Sequence, residues 1–200
     1  MRNEQDYYFH KAKKEKYPAR SVYKLEEAQQ KHRFLKPGQR VLDLGCHPGS
    51  WSLYAAEETG EKGVVVGVDL QYTELVVQKP HAEIHWLCYD VFSQDLADYL
   101  KKNWPGFHVV LSDMAPRTTG SQYADHQHSL RLAARVLEMA RLFLHKNGTV
   151  YCKVFQGEDF PQFLKECRTL FTSVKVVKPK SSRQESREVF LLGRGFQRTG

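Results

Sequence analysis

The stretch RVLDLGCHPGSW, Arg40 to Trp51, decides how this chain folds. An apolar run containing one acid stops abruptly at a glycine, and a second glycine and a serine open what reads as a helix. Strand, tight turn and helix make the first half of a βα unit. The alternation continues on the C-terminal side. Helix-like Ser50–Glu58 is followed by the almost purely apolar GVVVGVDL (Gly63 to Leu70), then by AEIHWLCYD, which ends at Asp90. A helix near Gln94–Lys102 leads to FHVVLSDMAP, a strand ending at Asp113. HSLRLAARVLEMARLFLHKNG has apolar residues at helical spacing, with Asn147-Gly148 as its expected stop. TVYCKVF, a helix around Pro161–Leu170, SVKVVKP and SREVFLLG complete the series. Nearly continuous β-branched strands alternating with helices imply a parallel sheet covered on both faces. The last two strands are joined only by KPKSSRQE, too short for a crossover helix, so an antiparallel strand is expected at the sheet's edge. The fold class is α/β, a doubly wound, mostly parallel sheet with an antiparallel last strand.

With 200 residues, 41% of them hydrophobic and 26% charged, the chain has the composition of one globular domain. No stretch is apolar for the length of a membrane span, and Met1 opens into RNEQDYYFHKAKKEK, which has no signal-peptide core. A cytoplasmic protein without a membrane role is expected. Cys46, Cys88, Cys152 and Cys167 are scattered, which argues against a disulfide framework or a zinc site. His126 and His128 have a spacing that invites a metal, but no third ligand is evident; they read as loop or helix-start surface, and no metal is expected. Charge is unevenly placed. Residues 1–36 hold ten Lys/Arg against five Asp/Glu, 37–160 hold eleven against fifteen, and 161–200 hold nine against three. An acidic middle between basic ends suggests a site for a cationic or neutral small molecule, with arms that grip a polyanion. The chain is accordingly divided into a basic arm and helix, 1–36, and a main domain, 37–200. Ser21 is a candidate cap for a helix over SVYKLEEAQQKHR.

Ligands of such sheets bind beyond the carboxyl ends of the strands, near the first strand–helix turn. Three successive strands here end in acids, Asp69, Asp90 and Asp113, and Asp43 lies in the tail of the first. The glycines follow Gly45-x-x-x-Gly49, not GxGxxG, and the turn lacks the lysine and hydroxyl of a Walker loop. A ring of carboxylates repels pyrophosphate. It suits a ligand with a ribose and a positive charge: Asp69 would accept the ribose hydroxyls, Asp90 the adenine amino group, and Gly45 and Gly49 would let backbone come close. S-adenosylmethionine satisfies that list. Taken singly, each strand-end acid reads more plainly as a cap for the next helix.

The segments KYPARSVYKLEE, LDLGCHPGSW, LSDMAP, CKVFQGEDF and SSRQESREVFLLG together resemble the FtsJ family of ribose 2′-O-methyltransferases over nearly the whole chain. The resemblance implies a Rossmann-like methyltransferase fold. It places cofactor contacts at Gly45, Gly49, Ser50, Trp51, Asp69, Asp90 and Asp113, and a catalytic group at Lys24, Asp113, Lys153 and Glu188. It further implies a uridine ribose in 23S ribosomal RNA as target, with a preference for the assembled large subunit. Cys46 and His47 depart from the small residues expected after Gly45, and His47 could alter the pocket rim.

These residues also make chemical sense without the family. Methyl transfer from a sulfonium is an in-line displacement, so positioning of the attacking oxygen dominates. A ribose 2′-hydroxyl needs positive charge or a base nearby to shed its proton, and neighbouring amines favour one neutral amine. Lys153, inside a buried strand, needs a partner, and Asp113 on the adjacent strand is the obvious one. Lys153 is expected as base or hydroxyl-orienting group, Asp113 and Glu188 as the acids that set its charge and direction, and Lys24 as a ribose or phosphate contact. Read plainly, Lys24 beside Glu26 and Glu27 is surface, and Glu188 beside Arg187 is an edge-strand ion pair. The start, DYYFHKAKKEKYPAR, offers aromatic faces and lysines to RNA, or is a solvated terminus until RNA arrives. Transfer RNA is the alternative substrate. A ribosome-assembly factor with incidental methyl transfer is the alternative of another class, and a small-molecule methyltransferase leaves the basic ends without a use. No stable protein partner is expected, and without a dimer stripe the chain reads as a monomer.

Overall fold

A computed structural model describes residues 2–73, 75, 81–116, 119–183 and 185–197. In chain order the elements are α1 (Arg2–Lys14), α2 (Val22–His32), β1 (Arg40–Leu44), α3 (Ser50–Thr59), β2 (Val64–Asp69), β3 (Glu83–Cys88), α4 (Gln94–Asn103), β4 (Phe107–Ser112), α5 (Gln122–Phe143), β5 (Leu144–Phe155), α6 (Phe160–Leu170), β6 (Phe171–Val177) and β7 (Glu188–Phe196). The seven strands form one sheet in the order β3-β2-β1-β4-β5-β7-β6. Only β7 runs antiparallel to its neighbours.

Alternation along the strands sends side chains to two cores. Leu42, Leu44 and Val110 face α4, α5 and α6 through Leu96, Leu100, Leu137 and Phe163. Val41, Val109 and Leu111 face the other way, onto Val22 and Leu25 of α2 and Trp51 and Ala55 of α3. Trp51, Tyr151 and Phe190 stack in that second core, with centroids 5.0–5.8 Å apart. The Tyr151 hydroxyl donates to the Lys24 carbonyl at 3.1 Å, and Trp51 Nε1 donates to the Ser21 carbonyl at 2.8 Å. Two core aromatics thus hold the start of α2 against the sheet.

Several sequence expectations are corrected. The antiparallel strand is not at the edge: β7 inserts between β5 and β6, and β6, exposed along most of its length, takes the edge. Apolar β7 is buried along most of its length and is better placed inside. Ser21 precedes α2 but makes no side-chain cap bond; its carbonyl serves Trp51 instead. The long helix leaves helical geometry at Leu144, because Leu144 pairs with Phe107 as the first residue of β5, and Asn147-Gly148 lies in the irregular start of that strand. The helix also begins earlier than expected, at Gln122, where Ser121 Oγ accepts from the Ala124 N–H. His126 is therefore buried rather than at the surface, its Nδ1 3.0 Å from the Phe155 carbonyl and its Nε2 accepting from the Asp159 N–H. The aromatic and basic start forms α1, since no proline or glycine interrupts residues 2–14.

Tyr151→Phe removes one buried hydrogen bond to the start of α2 and leaves the ring stack intact. Thermal unfolding is expected to show a loss of about 1 kcal/mol, lowering Tm by about 2–4 °C.

Candidate active site

The carboxyl ends of the parallel strands carry two joined groups of residues. The first surrounds the β1–α3 turn. Gly45 and Gly49 both have positive φ, +79° and +110°. A Cβ on Gly45 would run into Met114, and one on Gly49 into Leu75 and Trp86. Only glycine leaves this turn its path. Asp69, ending β2, accepts from the His47 N–H at 3.1 Å and the Gln71 N–H at 2.9 Å. Both carboxylate oxygens keep a further lone pair for ligand hydroxyls. Asp90 is exposed beyond β3 and accepts from the Phe92 N–H at 2.9 Å. The Ser50 hydroxyl accepts from the Ala19 N–H at 2.7 Å, which ties the turn to the segment before α2. The Trp51 indole is committed to the core, so what Trp51 offers a ligand at the turn is backbone.

Asp43 lies beneath the turn, 1% exposed. Its Oδ2 accepts from the Ser52 hydroxyl at 2.6 Å, while Oδ1 has no hydrogen-bond partner among the described residues. Burial first, then repulsion from Asp113 and Asp69, raises its pKa from 3.8 to about 7.

The second group lies where α2, β4, β5 and β7 meet. Lys153 Nζ donates to Asp113 Oδ1 at 3.0 Å and to the Asp113 carbonyl at 2.5 Å, and stands 3.8 Å from Glu188 Oε2. Lys24 Nζ reaches Glu188 Oε1 at 2.8 Å and Asp113 Oδ1 at 3.6 Å. Lys24 is thus no free surface lysine, and Glu188 does not pair with Arg187, whose Nη2 donates to the Gln122 carbonyl. Burial opposes the Glu188 carboxylate. The Lys24 and Lys153 ammoniums and hydrogen bonds from Lys24 and Ser182 outweigh it, and its pKa lies below the ordinary Glu range. Sequence reasoning missed the supports: the Ser182 hydroxyl donates to Glu188 Oε1 at 2.8 Å and Lys178 Nζ to the Glu188 carbonyl at 2.8 Å. Glu27 accepts from the Lys180 and Ser181 N–H groups at 2.6 and 3.0 Å. The basic β6–β7 loop and the acids of α2 carried the signal, but their meeting is long-range. A cleft lined by Ser21, Gly45, His47, Ser50 and Asp113 lies at the β1–α3 turn, and Asp113 is where it meets the second group.

Residues 17–196 match the model of the family described as FtsJ-like methyltransferase. The chain belongs to that family. A protein of Desulfotalea psychrophila named ribosomal RNA large subunit methyltransferase E is 50% identical over 99% of this chain and 98% of its own. One of the same name from Oleidesulfovibrio alaskensis is 47% identical over 98% of this chain and 94% of its own. A crystal structure assigned as a ribosomal RNA methyltransferase from Plasmodium falciparum superposes with a TM-score of 0.79 at 25% identity, covering 92% of this chain and all of that one. The fold is the mostly parallel, Rossmann-like sheet of this methyltransferase family, and the FtsJ-like enzyme draws its methyl group from S-adenosylmethionine.

The residues present fit that donor. Among the described residues neither Asp69 nor Asp90 takes part in an ion pair and Asp43 Oδ1 has no hydrogen-bond partner, so this half of the site is short of positive charge. The ammonium and sulfonium of S-adenosylmethionine supply it, and the glycine turn leaves room for close backbone approach.

Because native Asp43 holds its proton more tightly than the unfolded chain does, its contribution to stability falls as pH rises from 3.8 through about 7. Asp43→Asn removes that slope. Melting curves between about pH 4 and pH 8 should show the variant gaining on the parent as pH rises; parallel profiles would mean that Asp43 is not the titrating group.

Proposed function

We propose that this FtsJ-like enzyme methylates the 2′-oxygen of a uridine ribose in 23S ribosomal RNA, taken as the assembled large subunit. The observation that carries the reading is the Lys24–Glu188–Lys153–Asp113 cluster, whose Asp113 also lines the cleft at the β1–α3 turn. The names of the relatives at 47–50% identity support ribosomal over transfer RNA. An incidental methyl transfer would not need a buried and a half-buried cation held by two carboxylates.

In this reading Gly45, Gly49, Ser50, Asp43, Asp69 and Asp90 hold the donor, whose sulfonium supplies an activated methyl group. Lys153 has both of its closest contacts as a donor, to the carboxylate and the carbonyl of Asp113. A third N–H is available to the 2′-oxygen, so Lys153 aims a lone pair of that oxygen along the line of displacement. The proton released on methylation passes to the Asp113 carboxylate, since the Lys153 ammonium has no lone pair to take it, and on to solvent. Glu188 fixes Lys153 and Lys24 in one arrangement, and Lys24 steers the ribose or its phosphate.

Residues 1–36 serve as the RNA-gripping part. Tyr7 of α1 is 63% exposed, and it borders a groove beside the cluster lined by Lys31 and Lys180, by Lys11 paired with Glu26, and by Glu27. An exposed ring stacks on unpaired bases and the lysines meet phosphates. Among the described residues no helix is long and apolar enough to cross a membrane. In this reading the enzyme meets its ribosomal substrate in the cytoplasm, as a monomer.

Labelled methyl from S-adenosylmethionine, followed into undermethylated large subunits, free ribosomal RNA and bulk transfer RNA, tests the reading. Label should enter the subunit as a 2′-O-methyl nucleotide. Lys153→Ala should lower the rate by about 10²–10⁴-fold while calorimetry still shows donor binding. Label only in transfer RNA would overturn the substrate, and full activity of Lys153→Ala would overturn the mechanism.

A further inference from the structure

The sheet edge opposite the reaction cluster holds a groove that methyl transfer does not use. It encloses about 540 Å³, and Lys36, Lys146, Lys175 and Arg194 line it together with His108 and His145. The cations come from four separate places: the loop after α2, the irregular start of β5, the edge strand β6 and the end of β7. Among the described residues no carboxylate lines the groove. Among the described residues, none of the four cations takes part in an ion pair.

A fifth cation lies beside it. Arg40 Nε donates to the Gly106 carbonyl at 2.7 Å, and Nη2 lies 2.9 Å from His145 Nε2. A guanidinium can only donate, so that imidazole nitrogen is the acceptor. Neither partner carries a negative charge to cancel the guanidinium. The field shows on a neighbour as well: burial first, then Lys175, Lys31 and Arg194, lowers the pKa of His32.

Two plainer accounts explain part of this. Helix C-termini gather at this edge and attract cations, but α4, α5 and α6 have their own in Lys101, Lys102, Arg141 and Arg168. Lysine on an exposed edge strand discourages strand-to-strand association, which accounts for Lys175 but not for Lys36, Lys146 or Arg194. What remains is a built concentration of positive charge facing a concave surface. It is also continuous with the reaction site: β6 runs from Ser173 and Lys175 at the groove to Val177, and the next residue is Lys178, whose ammonium holds the Glu188 carbonyl. On β5, Thr149 at the groove and Lys153 at the cluster are four residues apart, about 13 Å.

We propose that this groove is a second backbone-phosphate site for the RNA substrate, gripping a segment that runs along β6 away from the ribose being methylated. It rests on the ribosomal RNA reading above, and it assigns the far edge a role in substrate affinity rather than in the chemical step. Phosphate contacts of this kind position RNA without reading its sequence.

The test compares the full-length parent with K146Q/K175Q, both exposed positions, and with K101Q/K102Q on α4, which removes the same charge away from the groove. Methylation of undermethylated large subunits is measured from low to high salt. For K146Q/K175Q the subunit KM should rise about tenfold and the salt dependence of log KM should lose about two units of slope, with kcat nearly unchanged. K101Q/K102Q should stay close to the parent. A K146Q/K175Q enzyme with parental KM and slope overturns the site while leaving the function standing. Equal losses in both variants overturn it too, since general charge then suffices. A parent that fails to methylate subunits overturns the function and, with it, this proposal.

Discussion

Glu188 is the constraint on which the proposed reaction site of this molecule depends. Its carboxylate touches Lys24 of α2 and faces Lys153 of β5, so three elements distant in sequence are fixed by one side chain. Burying one carboxylate is costly without compensating charge. Here two ammoniums and a serine hydroxyl surround it, and Asp113 balances the second ammonium. Taking away any one member would leave another buried charge uncompensated, which is why the cluster is better regarded as a unit than as four residues.

The sheet order explains why the two halves of the site adjoin. Strand order reverses direction between β1 and β4, so the connections from these two strands diverge and open a crevice at their carboxyl ends. The β1–α3 turn forms one wall and the segment after β4, carrying Asp113, forms the other. Asp113 therefore stands between an acidic half that lacks positive charge and a mixed half that already has it. A cationic donor and a neutral hydroxyl can meet there without either half changing its charge balance.

Much of this is legible in the sequence because it is local. Near-continuous apolar strands, the Gly45–Gly49 turn and acids at strand ends are written in short windows, and pairing of Lys153 with Asp113 follows once their strands are neighbours. The partners of Glu188 are a different matter. Lys24 lies 164 residues away, and nothing in VYKLEE shows which way its lysine turns. The position of β7 inside the sheet depends on its burial on both faces, and a hairpin signal alone leaves it at the edge. His126 escaped because the helix starts six residues before His128, so a polar run takes on a buried face. The basic groove is hidden for the same reason, being assembled from four separated segments.

The most direct measurement is a double-mutant cycle in single-turnover methyl transfer, using Lys24→Met, Glu188→Gln and the pair together, with donor affinity followed alongside. If Glu188 works by holding the lysines, the double variant should be no slower than the worse single variant, within about threefold. Rate losses that multiply would show two residues acting independently, and would contradict the cluster as the organising unit of the site.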